Sequence, residues 1–175
     1  MWLEYLFIFS CHQMEGRSPS LEGEFFPICF RCAGLFFGIF SVYFSMIFFK
    51  KQMNIPISKR NILFLSFLFL PLMLDGAANY FGLWHSTPSI RIISGLFAGI
   101  FLAAAITPFL KFQKKNIKFS SVGFIFALFI GIILITILQK VESIFIFDLL
   151  KYAATLGFIF YAASLLSIIK NFKSI

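Results

Sequence analysis

Five long apolar runs, separated by short polar or basic segments, make up most of this 175-residue chain. They cover residues of about 27–49, 61–83, 90–110, 119–138 and 147–169. Each run is close to the ~20 residues that an α-helix needs to cross the ~30 Å hydrocarbon core of a bilayer. The pattern therefore predicts an all-α, polytopic membrane helix bundle of about five transmembrane helices, forming one domain over residues 1–175.

The N-terminal segment MWLEYLFIFS is apolar but too short to cross a bilayer. It has no basic region, it carries Glu4, and no small-residue cleavage site follows, so we do not expect a signal peptide. We expect a short interfacial helix that leads into a polar, turn-rich loop at residues 10–32. The rival arrangement inserts this segment into the membrane as a sixth element.

Composition and charge support a membrane protein with a defined orientation. Hydrophobic residues make up 60% and charged residues 13% of the chain, against about half and about a quarter in soluble proteins. The net charge of +8 arises from Lys and Arg between the apolar runs, which indicates topology and not nucleic-acid binding. An external N-terminus and an internal C-terminus put ten basic residues inside and leave five outside, as the positive-inside rule favours. The outer five are Arg17, Arg31, Arg91, Lys140 and Lys151.

Small residues at four-residue spacing predict which helix faces pack together. Close backbone approach has to drive helix association in lipid, because the surrounding acyl chains are as apolar as the helices. The candidate stripes are Gly34 and Gly38 in the first span, Gly95 and Gly99 in the third, Gly123, Ala127 and Gly131 in the fourth, and Ala153 and Gly157 in the fifth.

All three cysteines and one of the two histidines lie between residues 11 and 32. Cys29 and Cys32 form a CxxC motif at the predicted start of a helix, where the helix dipole favours thiolates. With Cys11 and His12 added, the set matches the ligands that zinc or another transition metal takes. The motif also suits a redox dithiol or a structural disulfide, and these alternatives stay open.

Adjacent residues usually point apart, so Cys11 and His12 need not both bind one ion. His12 would then act as a base or lie behind the ligands, with water or Asp75 completing the metal shell.

Asp75 interrupts the second apolar run about seven residues before its outer end, roughly 10 Å deep at the rise of an α-helix. An unpaired carboxylate there costs at least a few kcal/mol, so we expect a partner, either Arg31 or Arg91. Asn79 lies one turn nearer the surface on the same face. The plainest interpretation of such a pair is a buried ion pair that fixes helix register.

The polar residues at this end divide into two groups of candidates. We consider as candidate catalytic groups Asp75, His12, Arg31 and Arg91. We consider as candidate cofactor or substrate contacts Asn79, Gln13, Arg17 and Ser18. Guanidinium groups suit phosphate and carboxylate, so the arginines could clamp an anion. His85 is expected to be a solvated residue of the membrane interface.

These residues resemble a family of predicted bacterial membrane proteins called domain of unknown function 2085. The likeness is carried by Cys11-His12-Gln13, Arg17-Ser18, Pro27-x-Cys29-x-Arg31-Cys32-x-Gly34, Asp75-Gly76, Ser86-Thr87, Arg91 and Gly95. Two positions depart from the family pattern, with Asn79 in place of a Gln and Pro88 in place of an Asn. The resemblance implies a small polytopic membrane protein and brings no established activity.

The main hypothesis from the sequence is a zinc-like metal site at the extracytoplasmic face of a bacterial inner membrane, catalytic or structural. The alternative is a thiol–disulfide oxidoreductase that uses the CxxC and a bound quinone. A further alternative is a small transporter gated by Asp75 and Arg91, or a structural membrane protein. Expected partners are the lipid bilayer and a lipid-soluble or anionic small molecule, but not nucleic acid. The oligomeric state and the existence of an enzymatic activity stay open.

Overall fold

The computed structural model describes Cys11 and residues 17–48, 66–106, 121–140 and 143–172. These residues form five α-helices and one short hairpin. The helices are α1 (Phe30–Phe48), α2 (Leu70–Tyr80), α3 (Pro88–Ile106), α4 (Ser121–Lys140) and α5 (Ile144–Phe172). The hairpin pairs β1 (Ser20–Leu21) with β2 (Glu24–Phe25) in antiparallel fashion. The predicted all-α bundle is confirmed. The predicted interfacial helix at residues 1–10 lies outside the described residues.

Three of these helices are long and apolar enough to cross a membrane, over Phe30–Ile47, Pro88–Ile106 and Ile144–Leu166. They correspond to the first, third and fifth predicted spans. In α4 a shorter apolar stretch covers Ile125–Lys140. The second predicted span is only partly described, with α2 as its helical portion. Three candidate spans are therefore established by length and composition, and the full count of five stays a prediction.

Helix α1 is the centre of the bundle, because α3, α4 and α5 all contact it. Its crossing with α3 is the tightest contact. A Cβ atom added at Gly34, Gly38, Gly95 or Gly99 would collide with backbone atoms of the facing helix. No other residue allows two helix backbones to approach this closely, so the predicted glycine stripes of these two spans are confirmed.

Helices α4 and α5 complete the packing around this central pair. Gly131 in α4 meets the side chain of Leu96, and Gly157 in α5 meets the backbone of Phe36. The Tyr43 hydroxyl of α1 is hydrogen-bonded to the Ser164 hydroxyl of α5 at 2.7 Å. Small residues and the Tyr43–Ser164 hydrogen bond thus hold the outer helices against α1.

The loop before α1 contains a hairpin that was not predicted from the sequence. Glu22 and Gly23 both have positive φ angles, 50° and 87°, as the two central residues of a type I′ turn require. Phe26 follows the hairpin, is 1% exposed, and packs edge-on against the rings of Phe37 and Phe147 at centroid distances of 6.5 and 5.4 Å. This anchor fixes the loop on the ends of α1 and α5.

An ionic contact adds a second link between the hairpin and α5. The Lys151 ammonium donates to Glu24 at 2.8 Å and to Asp148 at 3.0 Å. It also lies 4.8 Å from the centroid of the Phe147 ring. Because Glu24 belongs to the hairpin, the polar loop and the start of α5 lie at the same end of the bundle.

Candidate metal centre

Three sulfur atoms meet at the start of α1. The Sγ atoms of Cys11, Cys29 and Cys32 all lie within 4.8 Å of one another, and no disulfide joins them. Cys29 directly precedes α1 and Cys32 lies in its first turn. The backbone N–H of Cys29 donates to the Cys11 sulfur at 3.3 Å. The fold therefore brings together the three cysteines that were predicted from the sequence as metal ligands.

Backbone hydrogen bonds return the loop to the helix start. The Phe30 N–H, at the first residue of α1, donates to the carbonyl of Arg17 at 3.0 Å. The Phe26 N–H donates to the carbonyl of Pro19 at 2.7 Å and closes the base of the hairpin. These bonds fold the loop back on itself, so Cys11 reaches Cys29 across 18 residues of chain.

The start of α1 stabilises negative charge on sulfur. Hydrogen bonds from the Cys11 and Cys32 thiols hold the pKa of Cys29 far below its usual value, and the backbone N–H groups of Cys32 and Arg31 act in the same direction. The hydrogen bond between Cys11 and Cys29 raises the pKa of Cys11. One thiolate flanked by two thiols can act as a nucleophile or as the first ligand of a metal ion.

The sulfur separations suit a shared metal ion. Zinc binds thiolates at about 2.3 Å, which places two sulfurs of a tetrahedral site roughly 3.8 Å apart. Atoms that already lie within 4.8 Å of one another need only a small contraction to reach that spacing. Three protein sulfurs leave one coordination position. His12, the predicted fourth ligand, and Gln13 lie outside the described residues.

The buried carboxylate of Asp75 pairs with Arg31 and not with Arg91. Asp75 is 2% exposed, and its Oδ2 atom accepts a hydrogen bond from Nη2 of Arg31. Arg91 instead donates through Nε to the Ser86 hydroxyl at 2.7 Å. The prediction that one of these two arginines pairs with Asp75 is confirmed, whereas the Asp75–Arg91 pair of the transporter alternative is not formed.

The other polar residues predicted for this end of the bundle range from half-buried to exposed. Asn79 is half-buried one turn after Asp75. Ser18 is half-buried, and its hydroxyl has no partner within the described part of the chain. Arg17 is exposed. His85 is also exposed, in agreement with a solvated position.

Two contacts at this end were not predicted. The amide of Gln139 donates to the Ser89 hydroxyl at 3.2 Å and joins the end of α4 to the start of α3. Lys151 bonds with Glu24 across 127 residues. Both contacts depend on the tertiary arrangement of distant segments, and the sequence carried no local signal for them.

Comparisons with known proteins place the whole candidate site in one family. A model of the family described as "Predicted membrane protein (DUF2085)" matches residues 11–105, which run from Cys11 almost to the end of α3. An uncharacterized protein of Methanothermobacter thermautotrophicus is 33% identical over 97 residues, 55% of this chain and 84% of that protein. An uncharacterized protein of Methanocaldococcus jannaschii is 32% identical over 109 residues, 62% of this chain and 69% of that protein.

No solved structure matches the chain significantly. Both relatives come from archaea, so the expected bacterial source is not confirmed.

Proposed function

Because the chain belongs to the DUF2085 family of predicted membrane proteins, we propose that it is a small integral membrane protein with a zinc-like metal site. The ligands are Cys11, Cys29 and Cys32, and His12 or a water molecule takes the fourth position. The observation that carries the proposal is the meeting of three sulfurs within 4.8 Å, one of them contributed across 18 residues of chain. Redox exchange within the CxxC pair needs only the sulfurs of Cys29 and Cys32, whereas a metal site also makes use of the Cys11 sulfur.

The electrostatics of the site support metal binding. Metal ions bind the thiolate form of cysteine, and the lowered pKa of Cys29 provides a thiolate before the ion arrives. The first backbone N–H groups of α1 and the dipole of that helix offset part of the negative charge that three thiolates bring.

We place the site at the extracytoplasmic face of the cytoplasmic membrane, with the N-terminus outside. The excess of basic residues in the connections at the opposite end supports this orientation through the positive-inside rule. The same orientation puts the Lys151–Glu24 and Gln139–Ser89 contacts at the outer end of the bundle.

The fourth ligand decides what the metal does. A water molecule in an open position would be activated for attack on a lipid-soluble or anionic substrate. A histidine in that position would close the site and make it structural. Under this proposal Asn79, Arg17, Ser18 and Arg91 are candidate substrate contacts at the same end of the bundle.

One observation favours a second candidate function. Cys29 combines a lowered pKa with two neighbouring thiols, as a disulfide-exchanging cysteine does. A thiol–disulfide oxidoreductase would use Cys29 and Cys32 as the exchanging pair, Cys11 as the resolving thiol, and a bound quinone as the electron acceptor.

Metal analysis of anaerobically purified protein tests the first function. We expect about one zinc per chain in the wild type, loss of most of it in Cys29→Ser, and no change in His85→Ala. The latter variant is a matched control, because His85 is an exposed residue at the same end of the bundle. Wild-type protein that stays free of metal after incubation with zinc would contradict the proposal.

Thiol trapping in membranes tests the second function. An oxidoreductase would have cysteines that alternate between thiol and disulfide, and purified protein would carry a quinone. Cysteines that keep one state under oxidising and reducing growth would exclude it.

A further inference from the structure

Arg31 lies between two of the proposed metal ligands in the sequence, and its side chain forms an ion pair with Asp75. It lies in the first turn of α1, between Cys29 and Cys32. Its guanidinium reaches Asp75 of α2, 44 residues further along the chain. A cation in this position bears directly on whether a divalent metal ion can bind nearby, because like charges repel strongly where water is scarce.

The backbone of Arg31 is held on both sides. Its carbonyl lies against Gly95 of α3, so closely that a Cβ at Gly95 would collide with it. Its N–H group faces the Cys29 sulfur and contributes to the lowered pKa there. Because the backbone of Arg31 is packed against α3, the position of its positive charge depends on what the side chain contacts.

The ion pair that holds this charge is incomplete as a hydrogen-bonded unit. Nη2 of Arg31 contacts Oδ2 of Asp75, while Nε of Arg31 and Oδ1 of Asp75 are buried without a partner among the described residues. Arginine–carboxylate pairs frequently form two parallel hydrogen bonds. By contrast, the buried serine hydroxyls of Ser41, Ser45 and Ser94 each donate to a carbonyl of their own helix. The pair thus lacks the two parallel hydrogen bonds expected of a strong structural link between α1 and α2.

The clear effect of the ion pair is to neutralise the positive charge of Arg31. Asp75 is 2% exposed and supplies the negative charge that matches Arg31. Arg91, the other arginine of this end that lies within a helix, is bonded to a neutral serine hydroxyl and has no carboxylate partner among the described residues. Arg17 is exposed, so solvent screens its charge.

We propose that Asp75 is a positioning residue for the cysteine site, acting through Arg31. It neutralises the guanidinium and holds it towards α2, and so allows the cysteine cluster to accept a divalent cation. This inference rests on the proposed metal-binding function and identifies what controls metal affinity at that site. It gives α2 a role in the site although that helix contributes no metal ligand.

Charge compensation predicts effects of opposite sign at the two residues. Asp75→Asn leaves one uncompensated positive charge, Arg31→Gln leaves one negative charge, and the double variant is neutral again. Zinc should therefore bind most tightly to Arg31→Gln and least tightly to Asp75→Asn. The wild type and the double variant should have equal, intermediate affinities. Substitutions of the residues that orient metal ligands commonly change metal affinity about 10- to 100-fold. We therefore expect Asp75→Asn to bind zinc at least about tenfold more weakly than the wild type.

The experiment measures zinc affinity of metal-free, reduced protein in detergent at about pH 8, by competition with a chromophoric chelator. Asp148→Asn is the matched control, because it makes the same chemical change at the same end of the bundle in a residue paired with Lys151. Its affinity should stay within about threefold of wild type. The thiolate-to-cobalt absorption of the cobalt-substituted proteins checks that every variant uses the same sulfurs.

Several outcomes separate this inference from the metal proposal itself. Wild-type protein that binds no zinc removes the proposed function. Wild-type protein that binds zinc, with an equal affinity in Asp75→Asn or a shift in the same direction in both single variants, overturns the role of Asp75 alone.

A pair that only fixes helix register would lower the stability of both single variants and leave the zinc affinity of the folded protein unchanged. Should Asp75→Asn not fold, Arg31→Gln must still bind zinc severalfold more tightly than the double variant. Equal affinities of those two proteins would overturn the inference.

Discussion

Cys29 shows how one residue can acquire unusual chemistry from its position alone. Its sulfur faces the Cys11 and Cys32 thiols and the first N–H groups of α1, and each of these contacts favours the thiolate. Cys11, which hydrogen-bonds with Cys29, is driven the other way and keeps its proton to higher pH. Cys29 and Cys11 therefore differ in reactivity although they are neighbours.

Alkylation of reduced, metal-free protein should reveal this difference. Iodoacetamide reacts with the thiolate, and an ordinary cysteine with a pKa of about 8.5 is mostly protonated at about pH 6. Because the pKa of Cys29 is lowered and that of Cys11 is raised, Cys29 should be labelled first, and Cys11 only as the pH rises past the ordinary value. Peptide mass spectrometry gives the order of labelling. Equal rates for all cysteines at every pH, in the folded as in the denatured protein, would contradict the assignment.

Among the helices, the crossing of α1 and α3 fixes the frame on which the site is built. The carbonyl of Arg31 lies against Gly95, and that of Leu35 lies against Gly99. The first turn of α1, which carries Cys32, is thus set by contact with a neighbouring helix. Residues that pack two helices together also determine the geometry of the sulfurs.

A pair of identical substitutions tests this crossing. A Cβ at Gly99 would collide with the backbone of Leu35, whereas a Cβ at Gly76 meets nothing within 4 Å. Gly99→Ala should lower the free energy of unfolding by about 1–3 kcal/mol or more. Gly76→Ala should be neutral, or stabilise by up to about 1 kcal/mol through helix propensity. Unfolding in detergent compares the two, and equal stabilities would show that the crossing is looser than described.

The hairpin is held by one apolar anchor and one ionic contact of unequal strength. Phe26 is 1% exposed, whereas Glu24 is 56% exposed in its contact with Lys151. Phe26→Ala should cost about 3–5 kcal/mol and expose the cysteines to alkylation. Glu24→Gln should cost less than about 1 kcal/mol, because exposed ion pairs contribute little. Thermal unfolding and labelling rates check both, and a larger loss from Glu24→Gln would reverse this ranking.

For the bundle taken together, the sequence indicated the features that follow from composition and spacing. Apolar runs indicated the helices, glycine spacing indicated the packed faces, and a carboxylate within a span required a nearby cation. The choice of Arg31 over Arg91 was beyond the sequence, because both begin a helix at the same end. The hairpin was not predicted because its turn residues are Glu22 and Gly23. Asn-Gly and Asp-Gly are the pairs that signal such a two-residue turn most strongly.

The proposed orientation can be tested by labelling intact vesicles. All three cysteines lie at one end of the bundle, so a membrane-impermeant maleimide should label reduced protein in right-side-out vesicles without permeabilisation. A tag at the C-terminus should stay protected from added protease under the same conditions. Labelling that appears only after permeabilisation would put the site on the cytoplasmic side and contradict the orientation derived from the basic residues.

X-ray absorption at the zinc edge decides whether these cysteines bind the metal, because it counts the atoms around zinc in purified protein. The sulfurs of Cys11, Cys29 and Cys32 should appear as three scatterers at about 2.3 Å, with one nitrogen or oxygen at about 2.0–2.1 Å. Cys29→Ser should lower the sulfur count or remove the zinc altogether. A zinc shell made only of nitrogen and oxygen, or a sulfur count unchanged in Cys29→Ser, would contradict a metal site built from these cysteines.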